Sequence, residues 1–509
     1  MGTANDYEMV CGLEVHCQLR TETKLFCGCR YEFGAPPNSR VCPVCLGHPG
    51  VLPVLNRKAF DYALRAALAL NCEIAAYTKF DRKHYYYPDL PKNYQITQYD
   101  LPYSRNGWLD IEVRSANVEV RTANSEGRGA KGEGGPGDRG PQTKRIGLTR
   151  IHMEEDAGKL LHPEQGEPWS LVDLNRAGVP LMEIVSEPDV RSPEEAHAYL
   201  TALKQRLIDV GVSACDMEKG ELRCDANVSL RPRGETTFGT RVEIKNLNSF
   251  KFVAQAIAYE VKRQAQVLAS GGRIAQETRL WNTEREMTVV MRTKEEAQDY
   301  RYFPEPDLPP FVVDDAWRER IRKEIPELSG TRQERFQKEY GLSAYDAGVL
   351  TGERTYLEIF EQGLAVQPDA KILANWVTND LPMITRDAEL DLADDAVRAR
   401  AVTAVPKISR LVAAGTVNRA TGREILAEAL KTGKDPDALV KEKGAAQVSD
   451  AGQLDGWADQ AIAASEKAVA DYKSGKEASL QFIVGQMMKL SKGKANPQVV
   501  RELLKKKLG

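Results

Sequence analysis

At 509 residues the chain is too long for a single hydrophobic core, so two or three domains are expected. Its 42% apolar and 28% charged shares are those of a soluble globular protein, and a net charge of −3 excludes a global field for nucleic acid, leaving only local patches for RNA contact. No apolar run reaches the roughly 18 residues of a membrane span, and the polar start Met1 to Glu8 lacks the apolar stretch of a signal peptide. No membrane partner and a cytoplasmic location are therefore expected. Nine cysteines in such a setting read as thiols or metal ligands rather than disulfides.

The first element is the strand-like Leu13-Glu-Val-His-Cys17. Side chains alternate along a strand, so Glu14, His16 and Gln18 share one face and Leu13, Val15 and Cys17 the other. Next come Cys27-Gly-Cys29 and Cys42-Pro-Val-Cys45, two pairs separated by twelve residues. That spacing suits a closed, structural four-cysteine zinc site, with four unrelated thiols or a redox pair as the competing readings. Lys79 to Gln95 interleaves basic residues with tyrosines. There Lys83 and Lys92 are candidates to face phosphate or a carboxylate, with tyrosines stacking on a base; a tyrosine-rich core-edge strand is the plain alternative.

Asn124 to Gln142 is Gly-rich and nearly devoid of apolar side chains. It is expected to be a surface loop inserted between strands Leu109–Val120 and Ile146–Met153. From Arg150 to Asp189 two blocks carry seven carboxylates, among them Glu154, Glu155, Asp156 and Glu183. Glu183 sits in the apolar run Val179 to Val185, where an unpaired carboxylate is costly and wants a cation. With Glu14 and His16, these clusters suggest a metal and phosphate site.

Ser192-Pro-Glu-Glu195 combines a capping serine, proline at the first helical position and glutamate three residues after the cap, predicting a helix that runs to Gly211. Alternation in Glu221 to Leu230 puts Arg223, Asp225 and Asn227 on one face, and Val242 to Phe250 does the same for Glu243 and Lys245. Each could be a salt-bridged sheet face; together they resemble one polar cleft. A second helix is predicted from Phe250 to Ala269, stopped by Gly271 and Gly272. After the proline-rich Phe303 to Pro310, helical periodicity dominates, which places a boundary near residue 325. The last 25 residues carry Lys489, Lys492, Lys494, Arg501, Lys505, Lys506 and Lys507 against Glu502 alone. That local excess is either a solvated helical face or a contact for RNA phosphates. No Walker lysine motif, kinase loop or dinucleotide-binding glycine fingerprint is present, so any ATP site is of another type.

Taken as long motifs, GLEVH, YPDLPKNYQITQYD, HMEEDAGK, VDLNRAGVPLMEIVSEPD, LRCDANVS, EIKNLNS and DYRYFPEPDLPP closely resemble the B-subunit (GatB) family of glutamyl/aspartyl-tRNA amidotransferases. The resemblance covers essentially the whole chain; segment 124–142 departs from it as an insertion, and the four cysteines occur in only some members. It implies an α/β (α+β) cradle-like catalytic domain over 1–325, an all-α helical domain over 326–435 and a small helical tail domain over 436–509. Residues 356–508 together would be YqeY-like, and the tail would bind tRNA through Lys489, Lys492, Lys494 and Arg501. The implied reaction is ATP-dependent conversion of misacylated Glu-tRNA(Gln) or Asp-tRNA(Asn) to the cognate amide through an acyl phosphate. By the same resemblance Glu14, His16, Glu155 and Glu183 would hold Mg2+ or Mn2+. Lys83, Lys92, Arg223 and Lys245 would face ATP or substrate, and zinc would be structural. The chain lacks the Gly/Ser-rich amidase motif with its serine nucleophile. Ammonia would thus come from glutamine on a partner amidase (glutaminase), which together with a small third protein would complete a heterotrimer. A non-catalytic tRNA-binding scaffold is the competing function; it accounts for the tail and the cysteines but leaves the carboxylate clusters without a purpose.

Overall fold

The structure is a computed structural model that describes residues 6–113, 142–162, 168–293, 300–445, 451–491, 495 and 497–509. Two compact units divide between Leu328 and Ser329, three residues beyond the boundary near 325 expected from composition.

The first unit is built on a twelve-stranded sheet. Its main path runs Met287–Thr293, Glu277–Asn282, Val242–Leu247, Leu222–Pro232, Tyr7–Gln18, Pro180–Ser186, Gln142–Glu155, Tyr94–Thr97, Asp81–His84, Arg301–Pro304. Neighbours along this path are antiparallel except Val242–Leu247 with Glu277–Asn282. The Tyr7–Gln18 strand is interior, so chain segments about 170 and 210 residues away in sequence hydrogen-bond to its two edges. Alternation then sorts its side chains. Leu13, Val15 and Cys17 join Ile151, Met153, Met182, Ile184 and Ala226 in one core. Leu200, Leu203 and Leu207 of one helix, and Val253 and Ile257 of another, close that core from above. The opposite face carries the polar partners and stays open.

Both helices expected from the sequence are present. Pro193–Asp209 starts where the Ser192 hydroxyl accepts from the Glu195 N–H at 3.1 Å. Phe250–Ala269 is capped in the same way by Ser249. The strand expected over Leu109–Val120 is Ser104–Val113 in its described part; the rest, with insertion residues 124–141, lies outside the described residues.

The second unit is helical among its described residues and holds two separate apolar clusters. Phe336, Phe360, Trp376, Ile408 and Leu426 anchor the first. Leu454, Ile483, Met487 and Leu504 anchor the second. The helix Pro436–Glu442 contributes Leu439 and Val440 to the first cluster, so that cluster continues past the division expected at 435/436.

Candidate functional site

Strand register assembles the site. Cross-strand pairing sets His152 beside Glu183, Glu183 beside His16, and His16 beside Arg223. A second rank sets Glu14 beside Asp225, and Asn227 beside Glu243. Because these positions alternate with core residues, all project from the open face. Of these, Glu14, His16, His152, Glu183, Asp225 and Glu243 line a cleft of about 330 Å³ together with Lys83, Arg150, Glu154, Lys245, Tyr99, Tyr300 and Tyr302.

At its centre His16, Glu154 and Glu183 each offer a ligand atom, all within 4.8 Å of one another. His16 Nε2 lies 3.6 Å from Glu183 and 3.7 Å from Glu154, and His152 Nε2 lies 3.3 Å from Glu183. An imidazole with two carboxylates is a nitrogen–oxygen donor set that fits a divalent cation, Mn2+ more readily than Mg2+ where the imidazole binds directly. Glu14 accepts from Asn227 Nδ2 at 3.0 Å. Burial raises the Glu14 pKa, and the carboxylates of Glu183, Glu243 and Asp225 raise it further against the opposing Lys245. This corner is thus short of positive charge. Burial alone would also raise Glu183, but His152, His16 and Lys83 outweigh it and hold that carboxyl well below the usual range. Lys83 stays charged despite burial because Glu154, Tyr302, Tyr300 and Glu183 surround it. Lys245 does so through Asp225 at 2.5 Å and Glu243 at 3.0 Å.

Among the expected residues, Glu14, His16, Glu183, Lys83 and Lys245 converge on this cleft. Glu155 and Lys92 do not line it. Glu155 is one residue out of phase, shares the phase of Ile151 and Met153, and forms a buried ion pair with Lys92 while accepting from the Ile96 N–H at 2.9 Å. Glu154 occupies the place in the cluster expected for Glu155. Arg223 lies on the strand rank but is taken up by Asp156 at 2.8 Å, which also accepts from Gln18. His152, Arg150, Tyr300 and Tyr302 are cleft residues that the sequence motifs alone do not single out. The phase of Arg150-Ile-His-Met-Glu154, apolar at Ile151 and Met153, carries the signal for Arg150, His152 and Glu154.

Cys27, Cys29, Cys42 and Cys45 form a second cluster, their sulfurs all within 4.8 Å. Cys42 and Cys45 sulfurs are 3.9 Å apart, close to the edge of a tetrahedron with zinc–sulfur bonds of about 2.3 Å. The Cys45 thiol is held down to about 4, first by a hydrogen bond from Cys27 and further by the Cys42 N–H and the Lys24 ammonium. Lys24 is fully buried, with Nζ 2.8 Å from the Arg40 carbonyl and 3.6 Å from Cys45 Sγ. In the tail, Lys489 and Arg501 are exposed, and Lys492 and Lys494 lie outside the described residues. No helix among the described residues is long and apolar enough to cross a membrane.

The family model of the GatB/GatE catalytic domain matches residues 9–319, and that of the GatB domain matches residues 358–508. The B subunit of the aspartyl/glutamyl-tRNA(Asn/Gln) amidotransferase of Carboxydothermus hydrogenoformans is 52% identical over 507 residues, 99% of each chain. The proteins of the same name from Caldicellulosiruptor saccharolyticus and Brevibacillus brevis are 50% and 48% identical over 503 and 502 residues, again 99% of each chain. On these matches, which span both units, the chain belongs to the GatB family of tRNA-dependent amidotransferase B subunits.

Proposed function

We propose that the chain activates and amidates the side-chain carboxylate of misacylated Glu-tRNA(Gln), Asp-tRNA(Asn) or both, acting as a carbon–nitrogen ligase. The observation that carries this is the cleft in which His16, Glu154 and Glu183 cluster beside Lys83 and Lys245. A carboxylate resists ammonia because oxide is a poor leaving group. Transfer of a phosphoryl group from ATP to that carboxylate gives an acyl phosphate, from which ammonia displaces inorganic phosphate to leave the amide. A divalent cation held by His16, Glu154 and Glu183, with Glu14 adjoining, would neutralise charge on the transferring phosphoryl. Lys83 meets the substrate carboxylate or phosphate from one wall of the cleft, and Lys245, set by Asp225 and Glu243, faces it from another. His152 holds Glu183 ionised and oriented. Glu155 and Lys92 act from behind the sheet by fixing the strand end that presents Glu154. The four cysteines would hold a structural zinc, and the buried Lys24 would offset the net negative charge of four thiolates around one divalent ion.

No residue pattern of an amidase nucleophile is present in the sequence, so ammonia is supplied by a partner amidase (glutaminase), joined with a small third protein in a heterotrimer. The relatives' names, which specify the B component of an amidotransferase for aspartyl/glutamyl-tRNA, support this reading. The test is to co-express the chain with both partners and follow ATP-dependent amide formation on each misacylated tRNA, with glutamine or ammonium. Product from either nitrogen source is expected with the wild type, and none with His16→Ala or Glu183→Gln. Full activity in those variants would return the chain to the role of tRNA-binding scaffold.

A further inference from the structure

Tyr99 and Tyr302 stand at the edge of the cleft with ring centroids 3.9 Å apart and planes within 12° of parallel. Both residues are held in place from behind. Tyr99 donates its backbone N–H to Asp81 Oδ2 at 3.1 Å, and Asp81 is itself buried and ion-paired with Lys79. The preceding Gln98 is buried, donating to Thr78 Oγ1 at 2.7 Å and accepting from the Met153 N–H at 3.0 Å. Tyr302 lies in the Arg301–Pro304 strand, in register with Lys83. Yet Tyr99 remains 54% exposed, and among the described residues its only ring contact is Tyr302. One face of the ring is braced and the other is open. Beside it, Lys83 sits 4.7 Å from the Tyr300 ring centroid and reaches towards Glu154 and Glu183. A rigid, flat, half-open aromatic surface next to a cation suits a planar base attached to an anionic group.

We propose that Tyr99, braced by Tyr302, is the seat on which an adenine ring stacks when its substrate enters the cleft. Both substrates of the proposed reaction, on which this inference rests, carry adenine: the 3′-terminal adenosine of the acylated RNA and the nucleoside of ATP. The terminal adenosine is the favoured source, because Lys83 neighbours both Tyr302 and the carboxylates Glu154 and Glu183, where the aminoacyl carboxylate must arrive. The stack would set the distance from the end of the RNA to the metal ligands.

The experiment uses the assembled complex with Tyr99→Ala, Tyr99→Phe and Tyr99→Trp. Because loss of a base stack weakens binding by about tenfold or more, Tyr99→Ala should raise KM for the misacylated tRNA by about that factor. KM for ATP should hold, and Phe or Trp should restore the wild-type value. Binding is read separately, without turnover, with a CCA-ended acceptor-stem hairpin carrying 2-aminopurine as its terminal base. Its fluorescence should be quenched by the wild-type complex and recover with Tyr99→Ala. A rise in KM for ATP alone, with the hairpin unaffected, would keep the seat and assign it to the nucleotide. Unchanged KM values for both substrates together with undiminished quenching in Tyr99→Ala would overturn the proposal. A wild-type complex that quenches the hairpin but forms no amide would refute the proposed function while leaving the seat supported.

Discussion

Glu14 shares its face of the sheet with Glu183, Glu243 and Asp225, and its ionised form is opposed by all three as well as by burial. Its folded pKa therefore lies above the ordinary 4.5. A raised acid leaves stability intact below the unfolded value and erodes it as pH rises towards the folded one. Glu14→Gln should then raise the melting temperature at about pH 7 in the absence of added divalent metal, and the gain should vanish near pH 4. The same variant should lose at least about a hundredfold in amide formation, since it weakens the charge that the cleft presents to a cation. Thermal melts at the two pH values, paired with the amidation assay, check both halves; a lower melting temperature at pH 7 would contradict the charge argument. Asp156 runs the opposite way. Burial would raise it, but Arg223 and Arg176 more than compensate, so its pKa is lowered from 3.8 and its contribution is lost only as pH falls through that depressed value. Asp156→Asn should cost about 3 kcal/mol near neutral pH, the low end for a broken buried pair because Arg223 is partly solvated, measurable by urea titration. At this scale the strand phases in the sequence pair Glu14 with His16 and Glu243 with Lys245, each on one face of its own strand, while Glu183 is marked only by its apolar surroundings. Choosing between the adjacent Glu154 and Glu155 requires fixing the phase from Ile151 and Met153, which the run of acids obscures.

Elements differ in how openly their sequence declares them. The helix Pro193–Asp209 is written locally, in its serine cap, its proline and its leucine spacing, and Ser192→Ala should cost about 1 kcal/mol in chemical denaturation. The cysteine cluster is also local, since all four cysteines fall within nineteen residues, Cys27 to Cys45. A zinc ion held there should be lost together with the local fold. Cys27→Ser should abolish stoichiometric zinc by elemental analysis and lower the melting temperature of the first unit, with Lys24 left buried beside an incomplete site. Full stability in a zinc-free variant would mean the thiols pack adequately without the ion. The sheet is another matter. Its central strand is bordered by segments near residues 181–185 and 222–232, and no local rule reveals which remote strands pair or in what register. The cleft exists only through that register, which is why His152 and the tyrosines of the 300–302 stretch escape a reading confined to neighbouring residues.

Across the molecule, the two units have independent apolar cores, the first ending at Leu328 and the second beginning at Phe336. The composition shift near residue 325 is visible because strand-forming runs give way to helical periodicity; the continuation of the first helical cluster through Pro436–Glu442 is not, because that helix is short and its two contacts are tertiary. Separate cores predict a division of labour in RNA binding. Lys489, Arg501, Lys505 and Lys506 are exposed, whereas Lys507 is engaged by Asp455 and Asp459. On a chain of net charge −3 such a patch, rather than a global field, must supply any attraction for phosphates. Each phosphate contact contributes roughly 0.7–0.9 to the slope of log affinity against log salt. If these four side chains meet the backbone of tRNA, removing residues 329–509 from the complex should flatten that slope by at least about 3, the sum of four such contacts, since Lys492 and Lys494 go with them. Replacing the four with alanine in the intact chain should do nearly the same while leaving the melting temperature unchanged. An unaltered slope in the fourfold variant would assign the tail's basic residues to solvent and place the RNA contact on the first unit.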